Sequence, residues 1–379
     1  EHGTRFGEIS EISSLGDVNV RSYSDIAVLG ANISAGIGIN FGADGNIYLG
    51  ALQDTSGEDI SGKWRGSKSS VEYLQTHLTA EENISLMAGG GIMIDAAEIV
   101  SVNGHIEILA ALGITIEDEL GQYSENRKGK FGKKKVTESV YQTVAIRSLL
   151  DAGKGIKLNS DFGDITLKAV DITSTEGTQV KASNGAVNLL LTKETDHYAY
   201  SSVKKGLFTV KTKNKGHNIE TPVYNTIVGG FDVEALKGVN VEYEGLKGQD
   251  CAAFNDENGI EPQVFTDPDG FTQVEDECLR ANIHKISTMP GMSWLLDVLN
   301  AADANSDRSA FKWDEIAFQH KTWSESNTSL SPAFMAVISI AVALAAGPVG
   351  AGLASSITGV SSATILAGTA GFTATAISA

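Results

Sequence analysis

The sequence predicts a mainly β protein: a right-handed parallel β-helix of about 21–22 residues per rung, then a small α-helical module and an apolar Ala/Gly-rich helical tail. Three observations lead there. Short alternating runs recur at one spacing, so that Ile84-Ser85-Leu86 and Ile106-Glu107-Ile108 start 22 positions apart, as do Ile92-Met93-Ile94 and Ile114-Thr115-Ile116. The beat is already present where Val18 and Ile26 are followed 21 positions on by Ile39 and Ile47, and it returns between Ile165 and Val187. Finally, Gly, Asn or an acidic residue stands at the start of the runs, and 41 Gly with only 7% aromatic residues suits stacked rungs better than a globular α/β enzyme.

A rung of this kind cannot bury its apolar face alone. Stacking sets Ile on Ile and Val on Val at about 4.8 Å per step, with Ser, Thr, Asn and Glu alternating outward. A β-sandwich also turns often, but it has no reason to keep one register at separated places. Leucine-rich repeats share the length and demand a Leu framework that is missing here.

Rungs fill residues 1–191, with interruptions at 51–82 and 118–144. Both interruptions have the length of a hairpin or loop thrown outward from one edge, because insertions leave a solenoid without breaking its stack. The second contains Arg127, Lys128, Lys130, Lys133, Lys134 and Lys135, which read either as a surface-binding loop that grips an acidic partner such as lipid headgroups or lipopolysaccharide, or as a solvated tip. Residues 192–250 keep β character without the clean period, as atypical terminal rungs or hairpins that cover the open end.

Residues 251–330 form a linker and a helical module: after an acidic connector, Leu279, Ile283 and Ile286 recur at helical spacing, as do the apolar residues of 294–299 and of 311–323. Cys251 and Cys278 read as one disulfide or as two free thiols; neither lies in a Cys-x-x-Cys and no His stands at metal-ligand spacing. The tail, 331–379, has no Asp, Glu, Lys, Arg or His. It has the length for a membrane-inserting hairpin, or it packs as buried helices.

The net charge of −18 argues against a nucleic-acid partner, which needs a basic stripe. No catalytic constellation, cofactor motif or metal set is expected: the seven His are scattered, and no Gly-x-Ser-x-Gly elbow occurs. Asp303, Asn305, Asp307 and Asp314 imitate a calcium loop, but Arg308 holds the Gly position and Asp replaces the final Glu. Paired acids of a β-helical glycan hydrolase are not recognisable. The opening Glu1-His2-Gly3 shows neither Met nor signal peptide and reads as a piece of something longer.

The rungs, above all Leu78-Thr-Ala-Glu-Glu-Asn-Ile-Ser-Leu-Met-Ala-Gly-Gly-Gly-Ile-Met-Ile-Asp-Ala-Ala97, resemble the second haemagglutinin repeat region of filamentous haemagglutinin-type exoproteins. The stretch Trp313 to Trp323, taken there as a helix, then Leu330-Ser-Pro-Ala and the tail, look like the "possible haemagglutinin" domain that follows those repeats. The resemblance implies a large surface filament of the adhesin or contact-dependent growth inhibition type. Its partners would be an outer-membrane two-partner secretion transporter, a target-cell receptor or membrane, and a downstream toxin domain that these residues do not contain. It implies a secreted, cell-surface location.

Overall fold

A computed structural model of the protein describes residues 2–4, 9–205, 210–245, 251–260, 264–266, 272–274, 277–304 and 310–327. The apolar tail at 331–379 and the centre of the calcium-like stretch lie outside the described residues. The chain coils through stacked rungs, each with three short strands that pair in parallel with the same strands of the next rung. Three parallel sheets of seven, seven and eight strands result.

The registers follow the sequence period. Ile84 stands over Ile106 and Ile92 over Ile114; Val18 pairs with Ile39, Ile26 with Ile47, and Ile165 with Val187. Because side chains alternate along a strand, one parity points inward and is dry: Ile39, Ile84, Ile106 and Ile108 are each 0% exposed. One continuous apolar column runs from Val18 to Val241. Corner residues explain the Asn and Asp at run starts. The Asp25 Oδ1 accepts from the Asn46 amide at 2.7 Å, the Asn46 Oδ1 accepts from the Gly91 amide at 2.8 Å, and the Asn83 Oδ1 accepts from the His105 amide at 2.8 Å, so each corner clasps the next.

A second body of structure stands on one corner of the stack. Between the third strand of one rung and the first strand of the next, a long antiparallel hairpin leaves the second rung (Leu52–Ile60 and Trp64–Leu74), the fourth (Glu119–Phe131 and Lys134–Ile146) and the sixth (Thr192–Lys205 and Val210–Val223). The hairpins pair with one another through Gln122 with Val71 and Lys134 with Lys204. With His2–Thr4 and His320–Asn327 at its two edges they make a single eight-stranded side sheet. The geometry explains the alternation. A hairpin is two strands wide, about 9.6 Å, and two rungs are as tall, so one hairpin per two rungs closes the sheet without gaps.

The intervening rungs turn the same corner on a single left-handed residue: Gly30 (φ 55°), Ala96 (φ 46°) and Ala169 (φ 49°). Residues 226–244 complete a seventh rung, with Ile227 over Ile172 and Val239 over Val187.

Helices Cys251–Asn258, Glu277–Ser287 and Trp294–Ala304 follow. The last two bury Ile283, Ile286, Leu295, Val298 and Leu299 against the end of the stack. Trp294 meets Phe231 edge-on at 5.9 Å and donates its indole N–H to the Asn225 carbonyl at 3.0 Å. Cys251 and Cys278 are bonded, with a Cα–Cα distance of 5.1 Å, tying the first helix to the second.

The stretch 311–323 corrects the helical expectation. Phe311–Ile316 is a strand parallel to Val239–Glu244, and His320–Asn327 joins the side sheet. The apolar residues that imitate a helical period serve two different surfaces, Phe311, Trp313 and Ile316 packing on the core and Trp323 lying near His197 in the side sheet. Tertiary packing overrides the local pattern.

Candidate functional site

Three polar plugs hold the side sheet to the stack. Thr76, Ser148 and Asn225 stand where the coil resumes after each hairpin, Thr76 as the first residue of its strand and Ser148 and Asn225 one residue before theirs, and they are 0%, 0% and 2% exposed. Each adds hydrogen bonds to backbone groups at the corner where the hairpin departs, beside the rung-to-rung bonds from the Gly30, Ala96 and Ala169 amides to the Gly50, Glu117 and Leu190 carbonyls. The Thr76 hydroxyl donates to the Gly50 carbonyl at 2.7 Å and the Ser148 hydroxyl to the Glu117 carbonyl at 2.6 Å. The Asn225 amide donates to the carbonyls of Leu167 (3.0 Å) and Leu190 (3.1 Å) and accepts from the Val170 amide (2.9 Å). Beside them the Arg147 guanidinium bridges the second and third hairpin roots, donating to the Tyr224 carbonyl at 2.7 Å and pairing with Asp171 at 2.8 Å.

The root is also acidic. Asp95 ends its strand directly above Glu117, with Glu119 starting the second hairpin alongside, and the Tyr48 hydroxyl donates to Asp95 Oδ2 at 3.3 Å. Burial, then repulsion from Glu119 and Glu117, pushes the Asp95 carboxyl up to about 7. Farther out, His197 is 1% exposed, and burial lowers its pKa.

The outer end of the side sheet is basic. Directly paired residues share a face and successive rows alternate faces. The last row shared by the second and third hairpins reads Phe131, Lys134, Lys204, Lys211, and the third hairpin continues one row beyond it with Lys205 opposite Val210. The next row toward the stack, on the opposite face, carries Lys130 and Lys135. The third carries Trp64 and Lys213, and the fourth Arg65, Lys128 and Glu325. Lys63 and Lys133 occupy the turns.

Ten cations therefore crowd these four shared rows and the turns with one carboxylate among them, and no ion pair joins any of the ten to an acid among the described residues. Closer to the stack the same sheet does pair its charges: Lys68 with Glu58 at 2.6 Å, and Arg127 with Glu125 at 2.9 Å and Glu138 at 2.6 Å.

Of the six residues singled out in the sequence, the structure sets five on strands and Lys133 in the turn between them. Arg127 stands apart: it is spent on two carboxylates and lies 4.8 Å over the Trp64 ring. Lys134 lies 5.7 Å over Tyr200. Lys204, Lys211, Lys213, Lys63 and Arg65 belong to the same cluster and sequence reasoning missed them, because only strand register brings the cations of three hairpins onto neighbouring rows. Their signal in the sequence was Lys at alternate positions in 211–215.

A shallow trough of about 860 Å³ runs along the outside of the sheet that contains Ile84–Ala88, lined by Asn19, Asn40, Met87 and Leu109 among others. It exists because Gly42 stands between Arg21 and Met87 in one outward column. Asp303 pairs with Arg280 at 2.6 Å and Asp314 with Lys312 at 2.8 Å. Among the described residues no three His, Cys, Asp or Glu are grouped to hold a metal ion, and no helix is long and apolar enough to cross a membrane.

Residues 7–66 and 129–226 match the haemagglutinin repeat family. The two segments take in strands of the stack and parts of the side sheet. The match supports a protein of the filamentous haemagglutinin type, a structural and adhesive family. No curated protein and no solved structure matches the chain.

Proposed function

We propose that this chain is part of the shaft of a large secreted bacterial surface exoprotein, exported by an outer-membrane two-partner transporter, and that it serves as the region through which a downstream toxin domain of the contact-dependent growth inhibition type is delivered. The observation that carries the reading is the haemagglutinin-repeat match falling on an uninterrupted apolar stack. Such a stack transmits position along its length, since each rung is held by its neighbours, and it lends itself to reach rather than to enclosing a substrate.

A second reading, a plain adhesin that binds a surface receptor, is favoured by the cation-rich end of the side sheet. A β-helical glycan hydrolase would need facing acids, and the carboxylates grouped at the hairpin root are partly buried under Tyr48 instead.

In-frame removal of residues 9–245 from the full exoprotein separates these readings. With export unchanged by surface labelling of intact cells, loss of neighbour-cell killing with attachment retained supports delivery, and loss of both supports the adhesin. Undiminished attachment and killing would contradict the proposal.

A further inference from the structure

We propose that the outer end of the side sheet docks end-on against a bilayer surface that bears anionic phosphate headgroups. This deepens the attachment reading above and rests on it only in that the tip must meet another surface.

The first support is the cost of the arrangement. Lys134, Lys204 and Lys211 stand directly opposite one another across three strands, and Lys130 opposite Lys135. Like charges directly opposite destabilise a sheet. The chain has 47 acidic residues and a net charge of −18, and it interleaves acids with cations nearer the stack, yet it leaves the tip almost without them. The rest of the molecule is correspondingly more acidic than the whole, so an anionic surface repels it and admits it tip first.

The second support is shape. The cations lie on both faces of the sheet, Lys134 and Lys213 on one, Lys130, Lys135 and Lys128 on the other. A linear polymer lying across one face would reach only half of them. A plane met end-on faces both sides of the sheet alike, and the four rows span about 10 Å, so the lysine heads of both faces add attraction to anionic lipid within about a Debye length.

The third support is an aromatic pair. Trp64 and Phe131 pack edge-on at 5.2 Å within the outer rows, and Phe131 is 41% exposed. An aromatic ring among lysines at the end of a projecting element suits the headgroup layer, where amphipathic rings accumulate.

The test is co-sedimentation of the full chain with phosphatidylcholine vesicles, with and without about 30 mol% phosphatidylglycerol, at about 0.1 M salt. The chain should bind only the anionic vesicles. Changing Lys130, Lys133, Lys134 and Lys135 together to Ser should weaken binding by at least about tenfold. The same loss of charge on the stack, Lys154, Lys157, Lys181 and Lys237 to Ser, should change it by less than about twofold, since those lysines never reach the plane.

Phe131→Ser should lower vesicle binding a few-fold and leave binding to soluble dextran sulfate unchanged. These side chains are exposed or half-buried, and unchanged circular dichroism checks the fold of each variant. A tip variant that binds vesicles like the parent overturns the inference. So does a chain that binds dextran sulfate but no vesicle, which would assign the cations to an acidic glycan. If the tip variant loses vesicle binding while cells displaying it still attach and kill, the docking stands and the attachment reading fails.

Discussion

The stack and the side sheet are built from one chain, turn by turn, and they hold together by different means. In the stack, strands are three to six residues long, parallel and apolar on the inward parity, and nearly every inward side chain is dry. In the side sheet, strands run up to 14 residues, pair antiparallel and bury Ser139, Ser201, Ser202, Thr212 and Asn214 rather than a hydrocarbon core. The stack derives its free energy from apolar burial, on the order of 2–3 kcal/mol per Ile or Leu. The side sheet derives its own from backbone pairing and modest cross-strand contacts. The polar sheet therefore depends on the apolar stack to hold its hairpins in register, and the reverse dependence is weak.

The largest effect expected from that difference is in the column. Ile108→Ala, at a site 0% exposed, should cost about 3–4 kcal/mol of unfolding free energy in urea. Val140→Ala, half-buried in the side sheet, should cost less than about 1 kcal/mol. Equal costs would remove the distinction.

The plugs come next, because they join the two bodies. Asn225→Ala removes three hydrogen bonds from a buried corner and leaves the Leu167 and Leu190 carbonyls and the Val170 amide short of a partner. The expected loss is about 2–3 kcal/mol, with proteolytic nicking appearing first at the root of the third hairpin. A variant as stable as the parent would show that water replaces the amide at no cost.

The acidic root should make stability depend on pH. The Asp95 carboxyl is raised in the folded protein from its ordinary value to about 7, so the fold binds a proton that the unfolded chain has released. Its stabilising contribution is full below the ordinary carboxyl pKa and is lost as pH rises through about 7. Asp95→Asn should flatten that decline and raise the melting temperature by about 2 °C or more at pH 8 while changing little at pH 4. A parent whose melting temperature does not fall between pH 4 and pH 8 would contradict the assignment.

The smallest effect belongs to the corners that carry no hairpin. Ala96 and Ala169 hold positive φ where Gly30 does so without a Cβ. Ala96→Gly should be neutral or stabilise by up to about 1 kcal/mol, whereas Ala97→Gly, next to it on a regular strand, should destabilise by about that much. The opposite ranking would mean that the corner is not under backbone strain.

Most of the stack was legible in the sequence, because a fixed 21–22 residue beat of Ile and Val can be counted and each pair so counted is a register pair. The first two hairpins announced themselves as interruptions of that beat. The third masked the rung at 226–244, since Ile227 lies 55 positions after its partner Ile172 and no local period links them. The strands at 311–316 and 320–327 were hidden more deeply: their partners are 72 to 115 residues earlier, and the apolar spacing of Phe311, Ile316, Phe318 and Trp323 suits a helix equally well.

The basic cluster was half legible. The run from Arg127 to Lys135 is contiguous in sequence, but Lys204, Lys211 and Lys213 meet it only through pairing across four strands, and Glu138 takes Arg127 out of it. The plugs left no sequence signal, since Thr, Ser and Asn where a strand begins are common turn residues.

The dependence of the side sheet on the stack can be measured directly by hydrogen exchange after replacing residues 119–146 with a short turn that closes the fourth rung as Ala96 closes the third. The account predicts that amides of the rungs, such as those in Ile84–Ala88 and Ile156–Ser160, keep their protection, while the facing strands Trp64–Leu74 and Thr192–Lys205 lose most of theirs. Collapse of rung protection along with the hairpin, or full protection of the two orphaned strands, would contradict it.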